Sequence, residues 1–492
     1  MIFRIVAAVL LAVAAYLLYF HDISSVGLLS VDEPRYAAVG RAMAQSGDWI
    51  TPRLWGEVWL EKPPLLYWTV ALATSCGLRD ESAARFPIAL LAALFLVFYW
   101  WSLRRYSTPT AASYSTAILA TSLGWVAYTG VAVTDLPVAV FFAAAMLAAI
   151  PVALGHPASS WRLAAGGVLL GLAVLTKAFL PVVFAIPLVW FARRRPSQLV
   201  IPALAAVAVA APWYLAAYLR HGRELIDILF LRHQFDRFFR AGAEVLHPAP
   251  WWFYVPVVLA GLLPWTPLLP LATLRTIRRD PLIHYFGAIF GFGFVFLSLS
   301  SGKLPGYILP VFPFLTAIIG IAADRTRVQS WMLAAPVAIA CTLSFLVPFA
   351  PAAIEYGITR ATLPPPLTAL AVFAGSTLLA TIVFPRIAVR WRGPTLLFLV
   401  LALVIQQKHR LATVLEASIS ARPEWARIHR LTGSQPLCEN WLRRQWLYGF
   451  NYYRGSAIER CPDPPPENRL RLESDPETGR PVVVSGPVKP AE

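Results

Sequence analysis

PPLLYWTVALATSCG, residues 63–77, is the stretch on which the topology turns. It is apolar, but its 15 residues fall short of the roughly 20 that a comfortable spanning helix needs. Taken as a helix lying at the membrane interface, it leaves Arg104/Arg105, Arg193 to Arg195, Arg275/Arg278/Arg279, Arg325/Arg327 and Arg386/Arg390/Arg392 on the same side as Arg4. Cationic connections kept on the inner side are the usual arrangement of polytopic proteins. Taken as a crossing, it would send every one of those clusters outside and make the Arg-poor connections near 129–135, 300–306 and 351–361 cytoplasmic. The interfacial reading is therefore adopted, with the N-terminus inside.

The surrounding chain supports a membrane solvent. Of 492 residues, 58% are apolar and only 14% charged, with a net charge of +16, which leaves little room for a soluble, disordered or disulfide-dense secreted protein. Long apolar stretches lie at about 5–20, 85–103, 109–128, 136–154, 161–176, 178–192, 199–218, 251–274, 281–300, 307–323, 330–350, 362–385 and 394–407. About 13 transmembrane helices are thus expected in an all-α polytopic fold. Two longer outer loops, 21–84 and 219–250, interrupt them, and interfacial helices are expected in the first. Residues 1–407 would form the transmembrane domain and 408–492 a polar, Pro-rich outer region, either a small domain or a partly disordered tail. Cys438 and Cys461 fall there, in a compartment that permits a disulfide, whereas Cys76 and Cys341 sit in apolar segments as packing residues.

With sides assigned, the unusual polar residues collect outside. The first loop contains VDEPRYA (31–37) and LEKPPLLYW (60–68), the next connections contain VTDLP (133–137) and LTKAF (175–179), and then come LRHQFDRFFR (231–240) and SSGKLPGYILP (300–310). Arg supplies nearly all the positive charge, since only Lys62, Lys177, Lys303, Lys408 and Lys489 are Lys. Three of these five stand singly at outer helix mouths. Each alone reads as a snorkelling residue or a cap on helix carbonyls. Together they suggest a shared pocket for a phosphate, with Arg35 or Arg237 adding a planar fork. Asp32 and Glu33 can equally be first-turn acids of a helix ending at Gly47, Asp135 a helix start, and Glu61–Lys62 a local ion pair. Trp49, Trp55, Trp59 and Trp68 read mainly as an interfacial belt. A carboxylate base among cations suits transfer from a lipid-linked phosphate, because that leaving group needs cations rather than a proton.

These motifs in this order, over roughly residues 1–320, resemble the aminoarabinose transferase branch of the polyprenyl-phosphate sugar transferases, related to the protein O-mannosyltransferases. The resemblance implies GT-C architecture, a bacterial inner membrane location with a periplasmic active site, and inverting transfer from an undecaprenyl-phosphate sugar. The acceptor would be lipid A or a protein or glycan hydroxyl. It also implies site roles: Asp32, Asp135 and Arg35 catalytic; Lys62, Lys177, Arg237 and Lys303 on the donor phosphate; Tyr36, Glu33, Tyr67 and Tyr307 on substrate. No cofactor follows from the residues themselves, and the family can hold a divalent metal ion between positions such as Glu61 and His233. Membrane lipids are expected partners and nucleic acid is not. The competing class is a transporter or flippase for an anionic polyprenyl-linked lipid, which would place charge and broken helices near the midplane and often show repeats. A structural membrane protein would leave the one-sided clustering unexplained.

Overall fold

A computed structural model describes residues 2–235, 247–273, 279–326, 329–356, 365–433, 435–462, 469–476 and 478–484. Each of the thirteen apolar stretches carries helix, but they are unequal in length. Seven helices among the described residues are long and apolar enough to cross a membrane: Asp80–Leu103, Pro196–His221, Pro281–Leu299, Pro305–Arg325, Met332–Ile354, Pro366–Arg386 and Val389–Thr432. An eighth span is available if Trp251–Gly261 and Thr266–Thr273, which bend by 112°, form one broken crossing. The other five stretches are shorter or interrupted, as at Ser122, which lies extended between Pro109–Thr121 and Leu123–Thr129. Helix lengths therefore do not establish the expected count of thirteen.

Burial separates the helices by position. The Pro305–Arg325 window is wholly buried, making it the central helix, whereas Pro196–His221 exposes Leu204, Val207, Leu215 and Leu219. Exposed leucines in rows along long helices suit hydrocarbon, not water. Arg104 and Arg105 lie over the Trp100 and Trp101 rings at 4.7 and 3.8 Å, and Arg193 lies over Trp190 at 4.5 Å. Such Arg–Trp pairs suit a headgroup boundary. Asp80–Leu103 has 24 residues, about 36 Å at 1.5 Å per residue. Its first turns, with Glu81 and Arg85, therefore lie at the end of the molecule opposite Arg104.

The deciding stretch is the helix Leu65–Ser75, 11 residues long and so only about 16 Å, about half of a hydrocarbon core. Most of it is buried against the helix Asp32–Ser46 and the start of Asp80–Leu103, so it is an internal floor under the first loop more than a helix floating at the interface. Cys76 at its end is exposed, contrary to the packing role expected of it. The helix Asp32–Ser46 stops at Gly47, whose φ of 71° is left-handed.

The last long helix, Val389–Ser418, runs past residue 408, so the expected domain boundary falls inside it. Beyond it lies a small folded domain. Leu437–Glu439 pairs in parallel with Leu470–Ser474, which pairs antiparallel with Pro481–Val484. The helices Ala421–Thr432 and Arg444–Arg454 cover this sheet, with Ile428, Trp446, Phe450 and Leu472 in the core. Cys438 and Cys461 are disulfide-bonded across 23 residues. Closing a loop of that length removes about 3 kcal/mol of unfolded-state entropy. Cys438→Ser/Cys461→Ser protein should accordingly show faster proteolysis of the tail, with the transmembrane fragment left intact.

Candidate functional site

Two polar clusters form at the end of the molecule opposite Arg104. The first begins at Asp32, the opening residue of its helix, where the unsatisfied backbone donors favour a carboxylate. Arg35, one turn on, pairs with Asp32 through a guanidinium hydrogen bond, and its Nη1 lies 3.8 Å from Glu61 Oε2. Its Nε donates to the Val31 carbonyl at 3.0 Å. Burial opposes the guanidinium charge, but the Asp32 and Glu61 carboxylates outweigh it and hold Arg35 more firmly protonated than usual. Lys62 is buried beside them and donates to the Glu61 carbonyl at 3.3 Å. Tyr36 and Tyr67 meet at 5.8 Å below this group. The Tyr67 hydroxyl and the indole N–H groups of Trp55 and Trp59 are buried without a hydrogen bond of ordinary geometry. Buried polar groups left in that state are uncommon in native proteins.

Arg35 also lies 5.2 Å from the centres of two rings, Trp59 from the first loop and Tyr448 from the tail. Tyr448 stacks in turn on Trp55 at 5.5 Å. The sequence reading missed Tyr448 because it lies in a tail without recognisable motifs and some 410 residues from Arg35. The high aromatic content of RQWLYGFNYYR (444–454) was the only available signal. The same helix docks through Arg41 to the Tyr452 carbonyl, 2.7 Å, and through the Tyr453 hydroxyl, which accepts from Leu28 N and donates to Glu81. The tail thus covers the first cluster.

In the second cluster, Asp135 opens the helix Asp135–Ala148 and Lys177 closes the helix Ser160–Lys177. These antiparallel neighbours bring Lys177 Nζ to 2.7 Å from Asp135 Oδ1 and 4.1 Å from the centre of the Tyr307 ring. Gly306 makes the approach of the LPGY segment possible: a Cβ there would stand 2.6 Å from the Tyr128 hydroxyl and 2.8 Å from Asp135 Cγ. Lys303 Nζ is turned onto the Ser300 and Ala249 carbonyls, capping the end of the helix Pro281–Leu299. These two bonds are those expected of the capping alternative.

Glu33 departs most from expectation. Its side chain is fully buried, with Arg85 Nε and Nη2 at 2.7 and 2.8 Å and the amides of Leu29 and Ala132 at 2.7 and 2.9 Å. All its acceptor capacity is taken by the protein, leaving no face for a substrate. Instead it ties the residue after Asp32 to the loop just before Asp135, fixing the two clusters relative to one another.

Arg237 and the side chain of His233 lie outside the described residues. One partner of Glu61 is the Arg35 guanidinium, and the side chain of His233, the other expected ligand, is outside the described residues, so no step is routed through a metal below.

The helical frame gathers its polar clusters at one end of the spans, and that frame is found in a membrane protein of known structure. The chain shares its fold with ArnT from Cupriavidus metallidurans, solved bound to undecaprenyl phosphate, at a TM-score of 0.72 and 21% identity over 92% of this chain and 86% of that one. Residues 4–219 match the model of the dolichyl-phosphate-mannose-protein mannosyltransferase family. Curated relatives include undecaprenyl phosphate-alpha-4-amino-4-deoxy-L-arabinose arabinosyl transferase 2 of Pseudomonas fluorescens, 36% identical over 329 residues, and the corresponding enzyme of Pseudomonas aeruginosa, 34% identical over 327 residues. Each match spans 64% of this chain and 59% of the relative, so the chain aligns with about three fifths of the length of these relatives.

Proposed function

We propose that the protein transfers a sugar from undecaprenyl phosphate to an acceptor at the outer face of a bacterial inner membrane, with inversion at the sugar. The observation that carries this is the pair of clusters held together by Glu33: a reachable carboxylate beside Arg35 and buried Lys62, and a second carboxylate locked to Lys177. The names of the relatives make 4-amino-4-deoxy-L-arabinose the leading donor sugar, with lipid A or a protein or glycan hydroxyl as the acceptor.

In the reaction, an acceptor oxygen attacks the anomeric carbon while the bond from that carbon to the phosphate oxygen breaks, and undecaprenyl phosphate leaves with the bonding electrons. Lys62 and Lys177 neutralise the charge gathering on the phosphate. Asp135 and the Tyr307 ring fix the Lys177 ammonium in place. With a lipid A phosphate as acceptor, the nucleophile is already anionic and Asp32 orients groups; with a hydroxyl acceptor, Asp32 takes its proton. Asp32 keeps 41% of its side chain exposed, so it remains within reach of an acceptor. The membrane orientation follows from the Arg distribution, with the N-terminus in the cytoplasm.

The test is purified protein in vesicles with labelled undecaprenyl-phosphate aminoarabinose and a panel of lipid A, peptide and glycan acceptors. Label appearing on an acceptor supports the transferase, whereas movement of intact labelled lipid between leaflets without bond cleavage would support a flippase instead. Tyr448→Ala should weaken acceptor use about fivefold, equivalent to the loss of a cation–π contact of ~1 kcal/mol over Arg35, and Tyr448→Phe should restore it. Unchanged kinetics in Tyr448→Ala would remove the tail from the site.

A further inference from the structure

A third polar group stands apart from both clusters, where the first helix ends. His21 and Asp22 follow the π-helical turn Tyr16–Phe20, and His409 lies on the last long helix beside them. His21 Nδ1 and His409 Nδ1 are each 3.1 Å from the same oxygen, Asp22 Oδ1. One ligand atom from each of the three residues lies within 4.8 Å of the others. Asp22 is buried, while the two imidazoles are 45% and 61% exposed, so the site has an anionic floor and an open front. The rings meet edge to face at 5.8 Å. Ser25 Oγ reaches Asp22 Oδ1 at 3.4 Å, and Lys408 is turned aside onto the Leu18 carbonyl at 2.7 Å.

We propose that His21, Asp22 and His409 form a binding site for a divalent transition-metal cation of the zinc class, fastening the end of the first helix to the last long helix. Tetrahedral zinc with bonds of about 2.0–2.2 Å sets its ligand atoms about 3.3–3.6 Å apart, close to the two 3.1 Å spacings. Exposed imidazoles can rotate to close the third edge, and water takes the fourth position. Two imidazoles and one carboxylate favour zinc, cobalt or nickel over magnesium or calcium, which prefer oxygen. The location gives the ion a structural consequence. The segment just after Asp22 carries the tail: Gly27 N donates to Glu416, Leu28 N donates to Tyr453, and Arg422 donates to the Ser24 and Ser25 carbonyls. A cation at residues 21, 22 and 409 would stiffen the junction through which the tail is held over the first cluster.

The experiment uses the full chain in nanodiscs, stripped with chelator and titrated with Co²⁺, then with Zn²⁺. Wild type is expected to develop visible cobalt absorption and a rise in melting temperature with zinc. His21→Ala/His409→Ala should lose one equivalent of bound cation and that rise. His409→Gln, which can still hydrogen-bond Asp22, should fold normally and bind more than about 10–100-fold more weakly, the range for losing even an outer-shell partner. Glu61→Gln should retain this equivalent, which separates it from any cation at the first cluster. Identical stoichiometry and zinc response in wild type and His409→Gln would overturn the proposal.

Discussion

Lys62→Ala and Asp32→Asn, each confirmed to be folded, should lower sugar transfer in vesicles by at least about 10²–10³-fold, the cost of removing one preorganised charged or donor group. The expectation rests on how these two groups are held. Lys62 is only 6% exposed, and the two prolines that follow it fix the entry to the buried helix Leu65–Ser75. Asp32 is the opposite case, an accessible carboxylate kept in place by Arg35 and its helix start. Its amide isostere retains the shape and loses both the charge and the basicity. Lys177→Ala should act like Lys62→Ala and in addition strand Asp135. Kinetics in donor-saturated vesicles are the check, and full activity in both folded variants would sink the assignment of the first cluster.

Arg85→Ala should destabilise the protein by about 3–5 kcal/mol, because it leaves the Glu33 carboxylate buried without its counter-ion. Glu33→Gln is milder, since an amide keeps the shape and some of the hydrogen bonds to Leu29 and Ala132 but exposes Arg85 as an unmatched buried cation. The double change Glu33→Met/Arg85→Met, which removes both charges, should recover part of the stability lost in Arg85→Ala while activity stays low, as the two clusters lose their common anchor. A melting temperature for Arg85→Ala equal to that of wild type would show that the pair does not hold the clusters together.

Much of the frame was legible in the residues. Apolar runs announced the helices because burying polar backbone in hydrocarbon requires internal hydrogen bonds. Residues 63–77 were too short to cross, and the structure keeps them as an 11-residue helix. Crossing number was less legible, since helices broken at positions such as Ser122 share the composition of full spans while lacking their length. Single-residue roles divided by the same logic. The Lys177 and Asp135 motifs meet, as two antiparallel helix ends can. Lys303 and Glu33 carry the same kinds of charge, but backbone carbonyls and Arg85 claim them.

By itself, the sequence determined that this is a polytopic helical membrane protein, and it pointed to Arg clusters at one end of the spans and motif Lys, Asp and Glu at the other. Those properties depend on composition and order along the chain, and each is set by local transfer energetics. Only the tertiary structure decided which partners those charges have. It showed Glu33 as the tie between two clusters, Lys303 as a cap, the Cys438–Cys461 bridge, and Tyr448 from the tail over Arg35. The physical reason is that a buried charge must be matched by a partner from anywhere in the chain. Arg85 lies 52 residues from Glu33, and Tyr448 lies in a different domain from Arg35, so no local pattern reveals either match.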